Sequence, residues 1–156
     1  MRIRSPWTLA LCIGAPLLAG GVGSLFMGDS ISTWYATLVR PSWTPPNYIF
    51  GPVWTTLYVL MGTAAYLVIR TKKLGSKLVG WLFFAHLLVN AFWSIAFFTL
   101  HEILLAAFVI VLLWALIIVL IVAFYRYSRL ASYLMIPYLL WVTYATTLNI
   151  GFLVLN

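Results

Sequence analysis

Charge is what this 156-residue chain has least of: Asp, Glu, Lys and Arg together make up 7% of it, against roughly a quarter of an ordinary soluble domain. So few charges cannot cover a surface in water, and a water-soluble globule is excluded. Asp29 and Glu102 are the only carboxylates. They lie far apart, so paired-carboxylate acid/base chemistry would have to use both. Cys12 is the only cysteine and forms no internal disulfide. Beside it stand only His86 and His101, which give no metal-ligand spacing, and no metal site is expected. Neither a glycine-rich phosphate loop nor a Ser, His and acid constellation is present, which argues against hydrolases and kinases. The formal charge of +7 does not point to nucleic acid, because the basic residues sit between apolar runs instead of forming a patch.

What the chain has in excess is apolar and aromatic residues: 65% are hydrophobic, and eight Trp, nine Tyr and ten Phe are present. Leu, Ile and Val would satisfy lipid burial, so the aromatics need a reason of their own. A helix needs about 20 mostly apolar residues to cross a bilayer. Five segments qualify: Trp7 to Met27, Gly51 to Ile69, Leu78 to Leu100, Ile103 to Tyr125 and Leu130 to Leu155. The expected fold is an all-α membrane protein, one domain over residues 1–156, with five transmembrane helices and a long extramembrane loop at 28–50. The first span follows Arg2 and Arg4, as a signal peptide would. It is long and Gly-rich without a convincing small-residue cleavage site, and is read as retained.

Lys and Arg stay on the cytoplasmic side of a membrane. Arg2, Arg4, Arg70, Lys72, Lys73, Lys77, Arg126 and Arg129 all fall on one side of the five spans, and only Arg40 on the other. The expectation is a multi-pass protein of a bacterial cell membrane, N-terminus cytoplasmic and the 28–50 loop outside.

That loop holds Pro41, Pro45 and Pro46, which prevent a regular helix through its second half. Ser30 or Ser32 is placed to cap a short helix with Trp34, Tyr35 and Leu38 on one face. Such a segment either covers something or anchors Trp34 and Trp43 at the membrane interface. Inside the spans, His86, Asn90, Trp93 and Phe97 share one helical face, with Ser94 alongside. Trp141, Ala145, Leu148 and Phe152 share another, as do Trp54, Tyr58, Met61 and Ala65. Three spans thus offer a Trp at, or within about two turns of, the end nearest the loop. Asn90 is either interhelical glue or a ligand contact, and His86 is a satisfied packing residue. Cys12 is a small hydrophobe, and Trp7, Trp81 and Trp114 are belt or packing residues. Ala15, Ala19 and Gly23 recur every fourth residue, as close helix contacts in a bundle or a dimer require. Several Trp converging under an aromatic lid imply a flat, apolar, aromatic ligand. Arg40 at the mouth is available to an anionic group.

Three ordered blocks carry a family resemblance. WYATLVRPSWTPPNYIFGPVWTTLYVLMG at 34–62 is similar to the WYxxLxKPxWxPPxxxFxxVWxxLYxxMG pattern of the TspO/MBR family. This family comprises the tryptophan-rich sensory proteins and the translocator proteins or peripheral benzodiazepine receptors. NAFWSIAFF at 90–98 and PYLLWVTYATTLN at 137–149 also match in the expected spans. The resemblance implies a five-helix bundle, usually a homodimer, whose cavity under the first loop binds porphyrins such as protoporphyrin IX. Synthetic isoquinoline carboxamides are further expected ligands. By position, Trp54 and Trp141 match tryptophans associated with porphyrin handling, here the catalytic pair. Tyr35, Pro45, Asn90, Trp93 and Ala145 match ligand-cavity positions. Light-dependent oxidative breakdown of protoporphyrin IX is implied by the resemblance to some bacterial members, with the porphyrin as ligand and substrate and no tightly bound cofactor. A porphyrin transporter and a sensor acting through a partner protein are the alternatives. Tyr48, Arg40 and the Ser94–Ile95 pair depart from common family residues. The C-terminal LNIGFLVLN lacks the Tyr and basic residue of the proposed cholesterol segment.

Overall fold

Each apolar run forms a helix. A computed structural model describes residues 6–156; Arg2 and Arg4, which enter the charge argument, lie outside the described residues. The helices are α1 (Pro6–Met27), the single turn α2 (Trp34–Thr37), α3 (Phe50–Ile69), α4 (Ser76–Ser94), α5 (Ile103–Tyr125), α6 (Arg129–Leu134) and α7 (Ile136–Leu155). Five stretches are long and apolar enough to cross a membrane, the fifth combining α6 and α7. The protein is an integral multi-pass membrane protein with an all-helical bundle.

Two spans are less regular than the sequence predicts. The single fifth span is interrupted at Met135, where a turn separates α6 from α7. Pro137 supplies the reason, since it has no N–H for the carbonyl four residues earlier. The third span ends in a π-helical turn, Ile95–Thr99, in which the Leu100 N–H donates to the Ile95 carbonyl at 2.9 Å. One extra residue in a turn rotates the side chains around it, and such bulges concentrate at functional sites.

α1 packs on α3 and α4, α5 lies between α4 and α7, and α6 closes against α3 and α5. The main core includes Met61, Phe83, Ile117, Phe124, Tyr138 and Val142. The Ala15, Ala19 and Gly23 stripe is used inside the bundle: both alanines pack on this core, and Gly23 lies against Ser94. Trp7 and Trp81, 81% and 72% exposed, face outward as belt residues do. Trp114 packs across helices, its indole N–H donating to Thr143 Oγ1 at 2.9 Å.

The first connection is built in two parts. Residues Gly28–Ile31 form a 3₁₀ turn, and neither Ser30 nor Ser32 caps α2 as expected. The 3₁₀ turn takes up Ser30 and ends before Ser32, and the Ser32 and Thr33 hydroxyls both donate back to the Asp29 carbonyl at 2.9 Å. Tyr35, with Trp34 and Leu38, covers a second small core of Ala96, Phe97, Ala106 and Phe152. The Pro-rich second part then descends along α7. Val39 exchanges two hydrogen bonds with the Asn156 side chain, at 2.9 and 3.1 Å. Pro41 and Trp43 close on Gly151, where a Cβ would lie 2.6 Å from Pro41 Cγ. The Tyr144 hydroxyl donates to the Trp43 carbonyl at 2.6 Å. By the start of α3 the chain has reached Trp141, against which Phe50 packs.

Candidate functional site

The descent of the connection leaves two cavities beneath it. The first, of about 110 Å³, lies under Tyr35 and is walled by Phe97, Phe98, Phe152 and Ala145. The second, of about 330 Å³, lies between α1, α3 and α4, where Ser24, Thr55, Tyr58, Asn90 and Ser94 give it a more polar wall. Met27, Phe50, Trp54 and Trp93 line both and form the partition between them. Neither wall contains a charged residue. Pockets for drug-sized ligands measure about 300–1,000 Å³, so the first cavity is too small for one by itself and the second only marginal.

The partition is held unevenly. Trp93 is anchored, its indole N–H donating to Asn149 Oδ1 at 3.0 Å, while Asn149 Nδ2 donates to the Ile103 carbonyl at 3.1 Å. Trp54 is held by rings, stacked on Tyr58 with centroids 5.5 Å apart and set edge-to-face against Tyr138 at 6.1 Å. Below them runs a directional hydrogen-bond chain. Tyr58 donates to Asn90 Oδ1 at 3.2 Å, and Asn90 Nδ2 donates to the Tyr138 oxygen at 2.9 Å. The Phe83 carbonyl can only accept, so His86 Nδ1, 3.1 Å away, carries the proton. Nε2 is then free to accept from the Tyr138 hydroxyl at 3.0 Å. Asn90 is therefore interhelical glue, and it also borders the second cavity. His86 is fully buried and satisfied.

At the top, Tyr35 is buried, and the Arg40 guanidinium lies over its ring at 4.8 Å. Burial pushes the Tyr35 phenol above its ordinary range and Arg40 opposes the shift, so the hydroxyl stays protonated near neutral pH. Trp34 covers rather than anchors: it stacks on His101 at 4.4 Å and meets Phe97 edge-on at 5.4 Å. Trp43 is half exposed.

Of the residues singled out in the sequence, Tyr35 and Ala145 line the first cavity, Asn90 the second, and Trp54 and Trp93 both. Pro45 is half-buried in the descending segment and lines neither. Trp141 also lines neither; it sits behind Phe50, with ring centroids 5.8 Å apart.

Comparison with known proteins accords with this arrangement. The TspO/MBR family pattern matches residues 12–155. The chain belongs to the TspO/MBR family. It is 46% identical over 151 residues to the tryptophan-rich protein TspO of Chlorobaculum tepidum, covering 96% of each chain. It is 39% identical over 159 residues to the human translocator protein, covering 92% of this chain and 88% of that one. It is 37% identical over 143 residues to the protein CrtK of Rhodobacter capsulatus, covering 88% and 86%.

In this TspO/MBR chain some lining residues escaped the sequence argument. Phe50, Phe98 and Asn149 border the first cavity. Asn149 lies one turn after Ala145 in the sequence, but its role as the anchor of Trp93 depends on the side chains of α4 and α7 meeting. Phe98 falls off the Trp93 to Phe97 face of a regular helix; the π turn allows both phenylalanines to border the cavity. Phe50 was assigned to the loop, whereas it opens α3.

Proposed function

We propose that this protein binds protoporphyrin IX beneath its first connection and promotes the photo-oxidative degradation of that tetrapyrrole. The observation that supports this most is the uncharged, aromatic partition of Phe50, Trp54 and Trp93 shared by two adjoining cavities. Flat aromatic ligands gain area burial and ring stacking from such walls. The family's ligand class is of that shape, and isoquinoline carboxamides are proposed as in vitro ligands for the same reason. Light supplies the excitation, dioxygen is the oxidant, and the macrocycle is oxidised. Indole is easily oxidised, which suits Trp54, in the wall, or Trp141, behind it, to pass one electron to the excited macrocycle; the reduced macrocycle hands it to dioxygen as superoxide, the indole radical takes an electron back from the macrocycle, and superoxide combines with the macrocycle radical so formed. The protein is proposed to lie in the bacterial cell membrane with the 28–50 connection outside, and to act as a homodimer.

Some relatives carry the name translocator protein. Transport has less support here, because the helix interruptions at Met135 and 95–99 fall near the ends of their spans, while transporter sites use breaks near the bilayer midplane.

Titration of the purified protein with protoporphyrin IX in the dark, followed by illumination in air, tests both parts. A Soret shift on titration is expected, with bleaching faster than in a Trp54→Phe, Trp141→Phe double variant. Absence of the shift overturns binding; equal bleaching rates overturn the degradative role.

A further inference from the structure

Among the described residues, the Trp141 indole N–H is the one buried side-chain polar atom without a hydrogen-bond partner. Most such groups in folded proteins are paired, and an exception calls for a physical reason. In a membrane the cost is not relieved by bulk water. The ring next to it belongs to Phe50, inclined at 72° with centroids 5.8 Å apart. Phe50 borders both cavities and Trp141 neither, so the phenyl ring is the cavity-wall group packed directly against Trp141. Unlike Trp93, which a hydrogen bond ties to Asn149, a phenyl ring is held by packing alone. This one has cavity on two sides.

We propose that Phe50 is a gate. Its ring separates the two cavities and covers Trp141; when it swings aside the cavities join, and the Trp141 N–H becomes a donor to the occupant. The fitting occupant is a flat aromatic molecule that carries a hydrogen-bond acceptor, and taking it to be a tetrapyrrole rests on the function proposed above. The gate reconciles three observations: cavities individually small for such a ligand, an orphan donor, and an unanchored ring at their junction. Phe50 is thus a positioning residue that controls access to Trp141.

Hydrogen exchange of the indole groups tests the gate without any ligand. Protein carrying ¹⁵N-labelled tryptophan is placed in lipid nanodiscs, and the Trp141 signal is assigned by its loss in Trp141→Phe. Phe50→Ala should accelerate exchange at Trp141 by about tenfold, the order expected from losing one ring pair. Trp93 and Trp114, each bonded to another helix, should be unchanged. Phe50→Leu gives a smaller acceleration and serves if the alanine variant does not fold. Unchanged exchange at Trp141, or equal acceleration at all three indoles, overturns the gate. Protoporphyrin IX added in the dark should shift the Trp141 indole signal of the unsubstituted protein; binding without that shift overturns donation into the joined chamber. If exchange behaves as expected but protoporphyrin IX does not bind, the gate stands and the tetrapyrrole reading falls.

Discussion

Tyr138 shows how much a single hydroxyl can organise. It accepts from Asn90 and donates to His86, and in doing so joins α7 to α4 where lipid offers no alternative partner. Tyr138→Phe keeps the ring and its edge-to-face contact with Trp54 but leaves an amide N–H and an imidazole nitrogen unpaired. The expected loss is about 1–2 kcal/mol, measured as a lower thermal unfolding midpoint in detergent. Asn90→Leu should cost less per group removed, because Tyr58 borders a cavity where water can replace its partner. The stripe of His86, Asn90 and Trp93 was legible from helical spacing. Their partners were not, because Tyr138 and Asn149 lie about 50 residues further on and only the meeting of two helices pairs them.

Between elements, α1 and α3 approach closely, backbone to backbone, at Gly62. Pro16 lies inside α1 and has no N–H to give the Cys12 carbonyl. That carbonyl faces Gly62, where a Cβ would lie 2.5 Å from it and 2.6 Å from the Ile13 Cα. Backbone cannot rotate away as a side chain can, so Gly62→Ala must push the helices apart. The expected cost is about 1–3 kcal/mol. Gly14→Ala, where nothing lies within 4 Å of a Cβ, should leave the unfolding midpoint unchanged or raise it, since Ala is the better helix former. Equal effects of the two substitutions would refute the close contact as the reason for Gly62. Sequence periodicity placed all five helices, yet missed two irregularities for different reasons. Pro137 marked the break at Met135 in plain view. The π turn at 95–99 has no Pro or Gly to announce it and lies where the end of the third span packs on α1 and α5.

For the molecule as a whole, the asymmetry of charge predicts a single orientation. Reporter domains fused after residues in the 70–77 and 126–129 connections should signal from the cytoplasm, and fusions within 28–50 from the opposite side. A cytoplasmic signal from 28–50 would reverse the topology. The bilayer, the number of spans and the class of ligand wall were determined by the sequence itself, because lipid burial demands long apolar runs and tryptophan spacing marks helix faces. Family membership likewise follows from three ordered blocks of residues. What tertiary structure alone decided is the path of the first connection down α7 and, with it, the position of Phe50. The prolines only forbade a helix there; the Asn156 amide, the bare Cα of Gly151 and the Tyr144 hydroxyl determine where the segment goes. Those contacts join residues about 100 or more apart in sequence. They place one phenyl ring at the wall of two cavities and against a half-buried tryptophan, an arrangement that no local pattern encodes.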